Sequence, residues 1–382
     1  MKHYLVLGGG FAGLSAIREL RKQPDTHITL VDSGERFVFT PWLIDALAGE
    51  RAPLDISEDL EALTERLGVT FVRGTVTGLN RDQRHAIIQL AKGGVQELAF
   101  DEVILSLGAK TCYYGIPGAT THALPLKTLN DIERIHEHVR AMVKKALSAS
   151  DTRTKQELLS FVVVGAGPTG VESAFALKTF VESTLGDQWC RVAPYAHFYV
   201  VQGAPTILPG FNSRAINLAT DEMRQQGIEL TLGEPVEKLE ENTLFTTRGT
   251  TIHAATILWC AGVEPNFINV QPELPKERGG WISQNDLMLD ECIVGAGDNI
   301  RVMLGTAPAP KTAQIAMPMG KAAAHRIMTK QKKPFTYINK GAVLTLGKTG
   351  LFDLGFLKMK TPLARWVRGV LYRIRFNQLV RG

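Results

Sequence analysis

The sequence predicts an α/β protein built on two parallel-sheet units of the Rossmann type, one at the N-terminus and one beginning near residue 160. Three observations predict it. A buried-strand run, a glycine-rich loop and a helical run follow one another from Tyr4 to Leu20, and the same succession recurs from Phe161 to Leu177. The third is size: 382 residues exceed the roughly 250 to 300 at which a single hydrophobic core stops growing.

In the first unit the strand Tyr4-Leu-Val-Leu7 leads into Gly8-Gly-Gly-Phe-Ala-Gly13 and then into apolar residues at helical spacing as far as Leu20. Gly8 permits the tight turn, Gly10 lets the backbone approach a pyrophosphate, and Gly13 lets the helix lie close to the strand. The helix N-terminus supplies amide donors and positive potential to the same phosphates. A second strand, His27-Ile-Thr-Leu-Val31, ends in Asp32, where a carboxylate accepts from the ribose hydroxyls of an adenosine half.

The second unit repeats this grammar. Phe161-Val-Val-Val164 precedes Gly165-Ala-Gly-Pro-Thr-Gly170, with Gly165, Gly167 and Gly170 in the three glycine places. Two such loops suit a protein that binds two dinucleotides, because each serves one pyrophosphate. The next strand, His197 to Gln202, carries Gln202 where the ribose-binding acid is expected. A carboxylate there holds a 2′-hydroxyl and repels a 2′-phosphate, whereas a neutral amide discriminates less, so NADH or NADPH is the expected substrate. The long connection from Gly186 to Ala196 leaves open a register shifted by a residue or two.

Composition describes a folded chain, with 45% hydrophobic and 21% charged residues. Cys112, Cys190, Cys260 and Cys292 form no CxxC pair, which points to reduced core thiols and excludes a legible dithiol or zinc motif. No metal site is expected. The N-terminus enters a strand directly, so no signal peptide is read, and no uninterrupted apolar stretch is long enough to span a bilayer. The net charge of +5 is uneven: Lys358, Lys360, Arg365, Arg368, Arg373, Arg375 and Arg381 face no acid from Leu354 onward, leaving the rest at −2. A basic tail on a near-neutral body suggests a local electrostatic partner and gives no case for nucleic acid.

Further segments along almost the whole chain resemble the type II NADH dehydrogenases, single-chain flavoprotein NAD(P)H:quinone oxidoreductases. Phe39-Thr-Pro-Trp-Leu-Ile-Asp-Ala-Leu-Ala-Gly49 is similar to that family's "TPLLPEVAAG" segment, and Glu102 to Ala109 to the strand closing its FAD domain. Tyr114-Gly-Ile-Pro-Gly118 is similar to the crossing into the nicotinamide domain, Trp259 to Pro265 to the "WAAGV.P" return, and Ile293 to Asn299 to the "A.GD" segment. The resemblance implies FAD on Gly8, Gly10, Gly13, Asp32, Thr40, Pro41, Gly108, Gly297, Asp298 and Ala313, with Asp298 at the ribityl chain. It implies NAD(P)H on Gly165, Gly167, Gly170, Glu172, Gln202 and Gly262. It also implies a discontinuous FAD domain (1–111 and 286–334), an NAD(P)H domain (112–285) and a C-terminal region (335–382).

A flavin accepts hydride and releases electrons singly or in pairs, so such a protein needs only to stack a nicotinamide on one face and bring an acceptor near. Glu172 matches the family glutamate beside nicotinamide and flavin; its plain alternative is a first-turn acid favoured by the helix dipole. Pro310 to Gly320 resembles the quinone segment AQxAxQxG, keeping Ala313, Gln314, Ala316 and Gly320, with Pro318 in place of the second Gln. Proline removes the side-chain amide and the backbone N–H, and with them one hydrogen bond to a quinone carbonyl. Met317 and Met319 fit either gap-filling core or an apolar acceptor tunnel. Glu172 and Gln314 are therefore the candidate catalytic residues.

After Pro362, Leu363, Trp366, Val367, Val370, Leu371 and Ile374 share one helical face, with Arg365, Arg368 and Arg375 opposite. This pattern reads as an interfacial helix on an anionic membrane, its alternative being a helix docked on its own chain or on a homodimer partner. The resemblance favours the membrane, placing the protein in the cytoplasm, peripheral on the inner face of the cell membrane. Two other functions share the frame: sulfide:quinone oxidoreductase, which needs paired cysteines at the flavin, and a redox-signalling flavoprotein resembling apoptosis-inducing factor.

Overall fold

The computed structural model describes residues 1–354 and 357–381, the side chain of Leu357 excepted. Strand β1 (Lys2–Leu7), helix α1 (Phe11–Leu20) and strand β2 (Thr26–Asp32) form the first unit. β1 lies at the centre of a nine-stranded sheet, parallel to β2 on one side and to Glu102–Leu105 on the other. It is central because Tyr4 to Leu7 are apolar on both faces and fully buried, as a two-sided parallel strand requires. The strand Ile293–Gly295, distant in sequence, joins the same sheet in parallel beside Glu102–Leu105. Asn269–Gln271 also pairs with Thr70–Asn80 of this sheet, so the chain touches it well before residue 286. Helix α2 (Leu43–Leu47) follows a short 3₁₀ turn over Thr40–Trp42.

Helix α3 (Leu129–Ser148) leads to strand β3 (Ser160–Val164), helix α4 (Pro168–Leu185) and strand β4 (His197–Gln202). β3 is the middle of a five-stranded, wholly parallel sheet in the order Leu124–Pro125, Thr256–Trp259, β3, β4, Ile228–Leu232. The two predicted Rossmann-type units are both present.

Helix α5 (Ala313–Thr329) returns the chain against α1. A side-chain carbon added at Gly320 would lie 2.0 Å from the Ala12 carbonyl oxygen, so glycine there is what allows the two helices to touch. Met319 is 2% exposed and belongs to the core, while Met317 packs partly buried against it. An antiparallel sheet of β5 (Ala342–Leu346), β6 (Thr349–Leu354) and β7 (Leu357–Thr361) then carries helix α6 (Pro362–Val380). Thr361 caps α6 through its hydroxyl and Pro362 occupies the first turn, where its missing N–H costs nothing.

The sequence sets Arg365, Arg368 and Arg375 opposite the apolar face of α6, and the structure departs from a solvated basic face at Arg368. Arg368 is 2% exposed, and Phe376, Leu379 and Val380 are buried, whereas Leu363, Trp366, Val370, Leu371 and Ile374 face outward. The tail's cations are not uncompensated either: Lys360 pairs with Glu222, Arg365 with Glu50, Arg368 with Asp45 and Glu172, and Lys358 approaches Asp353 at 4.0 Å. All of these acids but Asp353, which immediately precedes the tail, come from distant parts of the chain that a local charge count does not see. Of the four thiols, Cys112 and Cys292 are buried, Cys260 is half-buried and Cys190 is exposed, so the expectation of core thiols fails at Cys190.

Candidate dinucleotide sites and the buried ion-pair network

The first glycine loop is packed on two of its glycines and open on the third. Gly8 adopts φ +107°, and a side-chain carbon there would lie 2.2 Å from the Ser106 carbonyl; at Gly13 it would lie 1.9 Å from the Gly8 carbonyl. At Gly10 it would meet nothing within 4 Å. The only unfilled flank of the turn is thus the one beside the α1 N-terminus, where N–H groups and helix dipole favour phosphate. Asp32 accepts from the Gly9 N–H at 2.6 Å and the Gly34 N–H at 2.7 Å. Burial pushes its carboxyl above the usual range, and these two N–H groups pull it back. An adenosine dinucleotide fits this open cradle and its partly buried acid.

The second loop reproduces the first. A side-chain carbon at Gly165 would lie 2.6 Å from Ala261 Cα, at Gly170 it would lie 1.8 Å from the Gly165 carbonyl, and at Gly167 it would meet nothing. Gln202 Oε1 accepts from the Ala166 N–H at 3.1 Å, the counterpart of the Gly9 contact to Asp32. The Gly165 and Gly8 N–H groups bond to Val201 and Val31 at the same 2.8 Å. Gln202 therefore stands where Asp32 stands, and the shifted register falls away. A residue that the sequence did not single out lies in the same neighbourhood: the Arg248 guanidinium is beside Gly233, whose N–H donates to the Ala204 carbonyl in the turn after Gln202, and it also acts on the Glu234 carboxylate. Gly262 has φ +153° and lies under the Tyr114 hydroxyl, which donates to the Ala261 carbonyl at 3.1 Å.

Within the first unit Gly297 (φ +81°) approaches Ala12 and Ala316, and the carbonyl of Gly108 (φ +67°) accepts from the Asn266 N–H at 3.0 Å. Asp298 is pushed up by burial and drawn back by Lys127 and Lys311; Lys311 Nζ also donates to the Asp298 carbonyl at 2.7 Å. Ala313 opens α5, and Gln314 Nε2 donates to the Tyr337 hydroxyl at 2.5 Å. Thr40 and Pro41 form the 3₁₀ turn before α2, and the Pro41 carbonyl accepts from Arg368 at 3.0 Å.

Glu172 is neither a solvated first-turn acid nor a lone carboxylate. It is 7% exposed, accepts from the Thr345 N–H at 2.7 Å, and lies 3.3 Å from Arg368 Nε, which is not aimed at it for a hydrogen bond. The same guanidinium donates to Asp45 at 3.1 and 3.2 Å. Burial raises the Glu172 carboxyl, against the pull of Arg368 and Thr345. One arginine of α6 thus ties together α2, α4 and its own helix. Sequence reading missed Arg368 as a partner because an arginine on an amphipathic helix reads as solvated. The usable signal was Asp45, an acid within the apolar run Trp42 to Ala48.

Two matched dinucleotide loops on two parallel sheets, with a buried carboxylate and arginine at their junction, define a two-dinucleotide oxidoreductase. The chain belongs to the pyridine nucleotide-disulphide oxidoreductase family, which its residues 2–320 match. It is 26% identical over 360 residues to the type II NADH:quinone oxidoreductase of Staphylococcus saprophyticus, covering 91% of this chain and 88% of that one. Its fold is similar to that of NDH2 from Plasmodium falciparum in complex with NADH, with a TM-score of 0.88 at 16% identity over 100% of this chain and 95% of that one. It is also similar to the sulfide:quinone oxidoreductase of Aquifex aeolicus, with a TM-score of 0.78 at 16% identity, covering 99% and 91%.

Proposed function

We propose that this chain oxidises NADH or NADPH through FAD and passes the electrons to a quinone at the cytoplasmic face of a membrane, without pumping protons. The observation that carries the reading is the pairing of two equivalent glycine loops, each closed on two glycines and open on the one beside a helix N-terminus. FAD supplies, when bound, a two-electron acceptor for hydride and a donor to the quinone. The residues holding it are Gly8, Gly10, Gly13, Asp32, Thr40, Pro41, Gly108, Gly297, Asp298 and Ala313. The nicotinamide nucleotide lies on Gly165, Gly167, Gly170, Gln202 and Gly262. In this reading the FAD domain is 1–111 with 286–334, the nicotinamide domain 112–285, and 335–382 the membrane-facing region.

Glu172 and Gln314 serve the acceptor end. A buried carboxyl with raised affinity for protons, held by Arg368 and the Thr345 N–H, suits proton delivery to a reduced quinone. Gln314 is oriented by Tyr337. The use of NADPH as well as NADH is supported by the neutral Gln202 and by Arg248 beside the following turn. Membrane attachment is supported by the outward apolar face of α6; no helix among the described residues is long and apolar enough to cross a bilayer.

The sulfide reading needs paired reactive thiols. The thiol beside the second loop, Cys260, has Ser173 as its partner at 3.7 Å, and burial pushes it up to about 12, so it is protonated and inert at neutral pH. The deciding experiment is steady-state oxidation of NADH and NADPH by purified holoprotein with and without a soluble short-chain quinone. Quinone should raise turnover well above the oxygen background. Flavin that NADH reduces but quinone does not reoxidise faster than oxygen would sink the reading in favour of a signalling flavoprotein.

A further inference from the structure

We propose that the cleft between the loop 49–53 and helices α3 and α4 binds the phosphate of an anionic phospholipid. The cleft measures about 720 Å³, and Arg51, His136, Arg140, Phe180, Ser183 and Thr184 contribute to its walls. Neither glycine loop nor Glu172 contributes to its walls.

Its charge is positive and unspent. Among the described residues neither Arg51 nor Arg140 has a carboxylate within 4.0 Å. The one acid in the lining, Glu50, is already paired with Arg365 through both oxygens. Each guanidinium lies over an aromatic ring instead: Arg51 over Trp42 at 4.5 Å, Arg140 over Phe180 at 5.3 Å. A ring contact of this kind localises the cation without pairing it to a carboxylate, so its N–H donors remain available to a phosphate. His136 stacks on Phe180 at 3.8 Å, and its Nε2 is engaged by the Leu47 carbonyl at 3.1 Å. Burial lowers its affinity for protons, so the attraction for an anion comes from the arginines. Thr184 adds a hydroxyl suited to the glycerol part of a headgroup, and Ser183, whose hydroxyl donates to the Phe180 carbonyl at 2.9 Å, adds an acceptor.

The surroundings select a lipid over a free ion. Leu54, next to the rim residue Pro53, is 68% exposed. The Glu50 to Arg365 pair ties the same rim to the start of α6, where Leu363 and Trp366 are 55% and 66% exposed. A phosphate seated between Arg51 and Arg140 would have apolar side chains near it on which acyl chains could lie, and a free phosphate would make no use of them. This inference rests on the membrane attachment proposed above.

The test uses full-length holoprotein and co-sedimentation with vesicles of phosphatidylcholine alone or containing phosphatidylglycerol. Phosphatidylglycerol should raise affinity by about tenfold or more, the scale expected for two cations engaging an anionic surface. R51Q/R140Q should lose that gain, keep phosphatidylcholine binding and NADH-to-quinone turnover, and be rescued by R51K/R140K in part. R373Q/R375Q, which removes two cations elsewhere, should lose less. Equal losses in the two glutamine variants would overturn the cleft as a specific site. Soluble short-chain phosphatidylglycerol should compete with the vesicles, and inorganic phosphate at the same concentration should not; equal competition would make it a simple anion site and defeat the lipid assignment. Wild-type binding that ignores phosphatidylglycerol overturns the inference while membrane attachment stands, whereas binding to no vesicle at all overturns both.

Discussion

Gly10 and Gly167 differ from the glycines flanking them in what a side chain there would meet, and that difference gives a clean test of the cofactor. Valine at Gly8 or Gly13 would collide with backbone, but at Gly10 it would enter open space. Gly10→Val should therefore leave a folded protein with much reduced FAD, read as a lower ratio of flavin to protein absorbance at unchanged circular dichroism. Full flavin occupancy in that variant would remove the first loop from the FAD site. At the second loop, Gln202→Glu places a charge where a 2′-phosphate approaches, which should shift the ratio of kcat/KM toward NADH by about tenfold or more. Arg248→Ala should lower kcat/KM for NADPH and spare NADH. A wild-type preference for NADH of a thousandfold, or an unmoved ratio in both variants, would remove Gln202 and Arg248 from nucleotide selection.

Helix α6 shows where an element's role is decided by partners that are far away in sequence. The glycine loops were legible because spacing, strand and helix are all local, and each glycine has its own steric reason. The tail was legible as an amphipathic helix, but which face turns inward depended on Asp45, Glu50, Glu172 and Glu222, none of them in the tail. Tyr337 and Arg248 were invisible for the same reason, since neither stands in a motif. Arg368→Ala should destabilise the protein by about 3 to 5 kcal/mol in denaturant unfolding, because it leaves two carboxylates without their buried cation. A loss under about 1 kcal/mol would mean the network is solvated. Glu172 supplies a second test. Its folded carboxyl binds protons more readily than the unfolded one, so its stabilising contribution is complete below the unfolded value and lost as pH rises through the folded value. Melting temperatures of wild type and Glu172→Gln should diverge upward with pH, the wild type falling relative to the variant; parallel curves would show that Glu172 does not titrate differently on folding.

For the whole molecule, the outward face of α6 and its inward face assign attachment and stability to different side chains, which changes how membrane binding should be tested. Deleting 362–382 would release the apolar face, but it would also remove Arg368 from Glu172 and Asp45 and Phe376 from its aromatic neighbours Phe39 and Trp42. Loss of vesicle binding in such a truncation would not separate detachment from unfolding. Trp366→Ser with Leu371→Ser acts on exposed side chains alone, so flavin content and melting temperature should hold. The balance of forces also shifts. Only Arg373, Arg375 and Arg381 of the seven tail cations lack an acidic partner among the described residues, worth up to about 1 kcal/mol each near an anionic surface. Five outward apolar side chains, at about 1.5 to 3 kcal/mol each when fully buried, outweigh them even at half depth. Co-sedimentation with phosphatidylcholine vesicles should therefore persist when salt is raised and fall by about a hundredfold or more in the double serine variant. Binding abolished by salt alone would show that charge and not the apolar face holds the protein. Unchanged binding of the double variant would remove this face from membrane attachment, and a fall in its oligomeric mass on size exclusion would make it a contact between two copies of the chain.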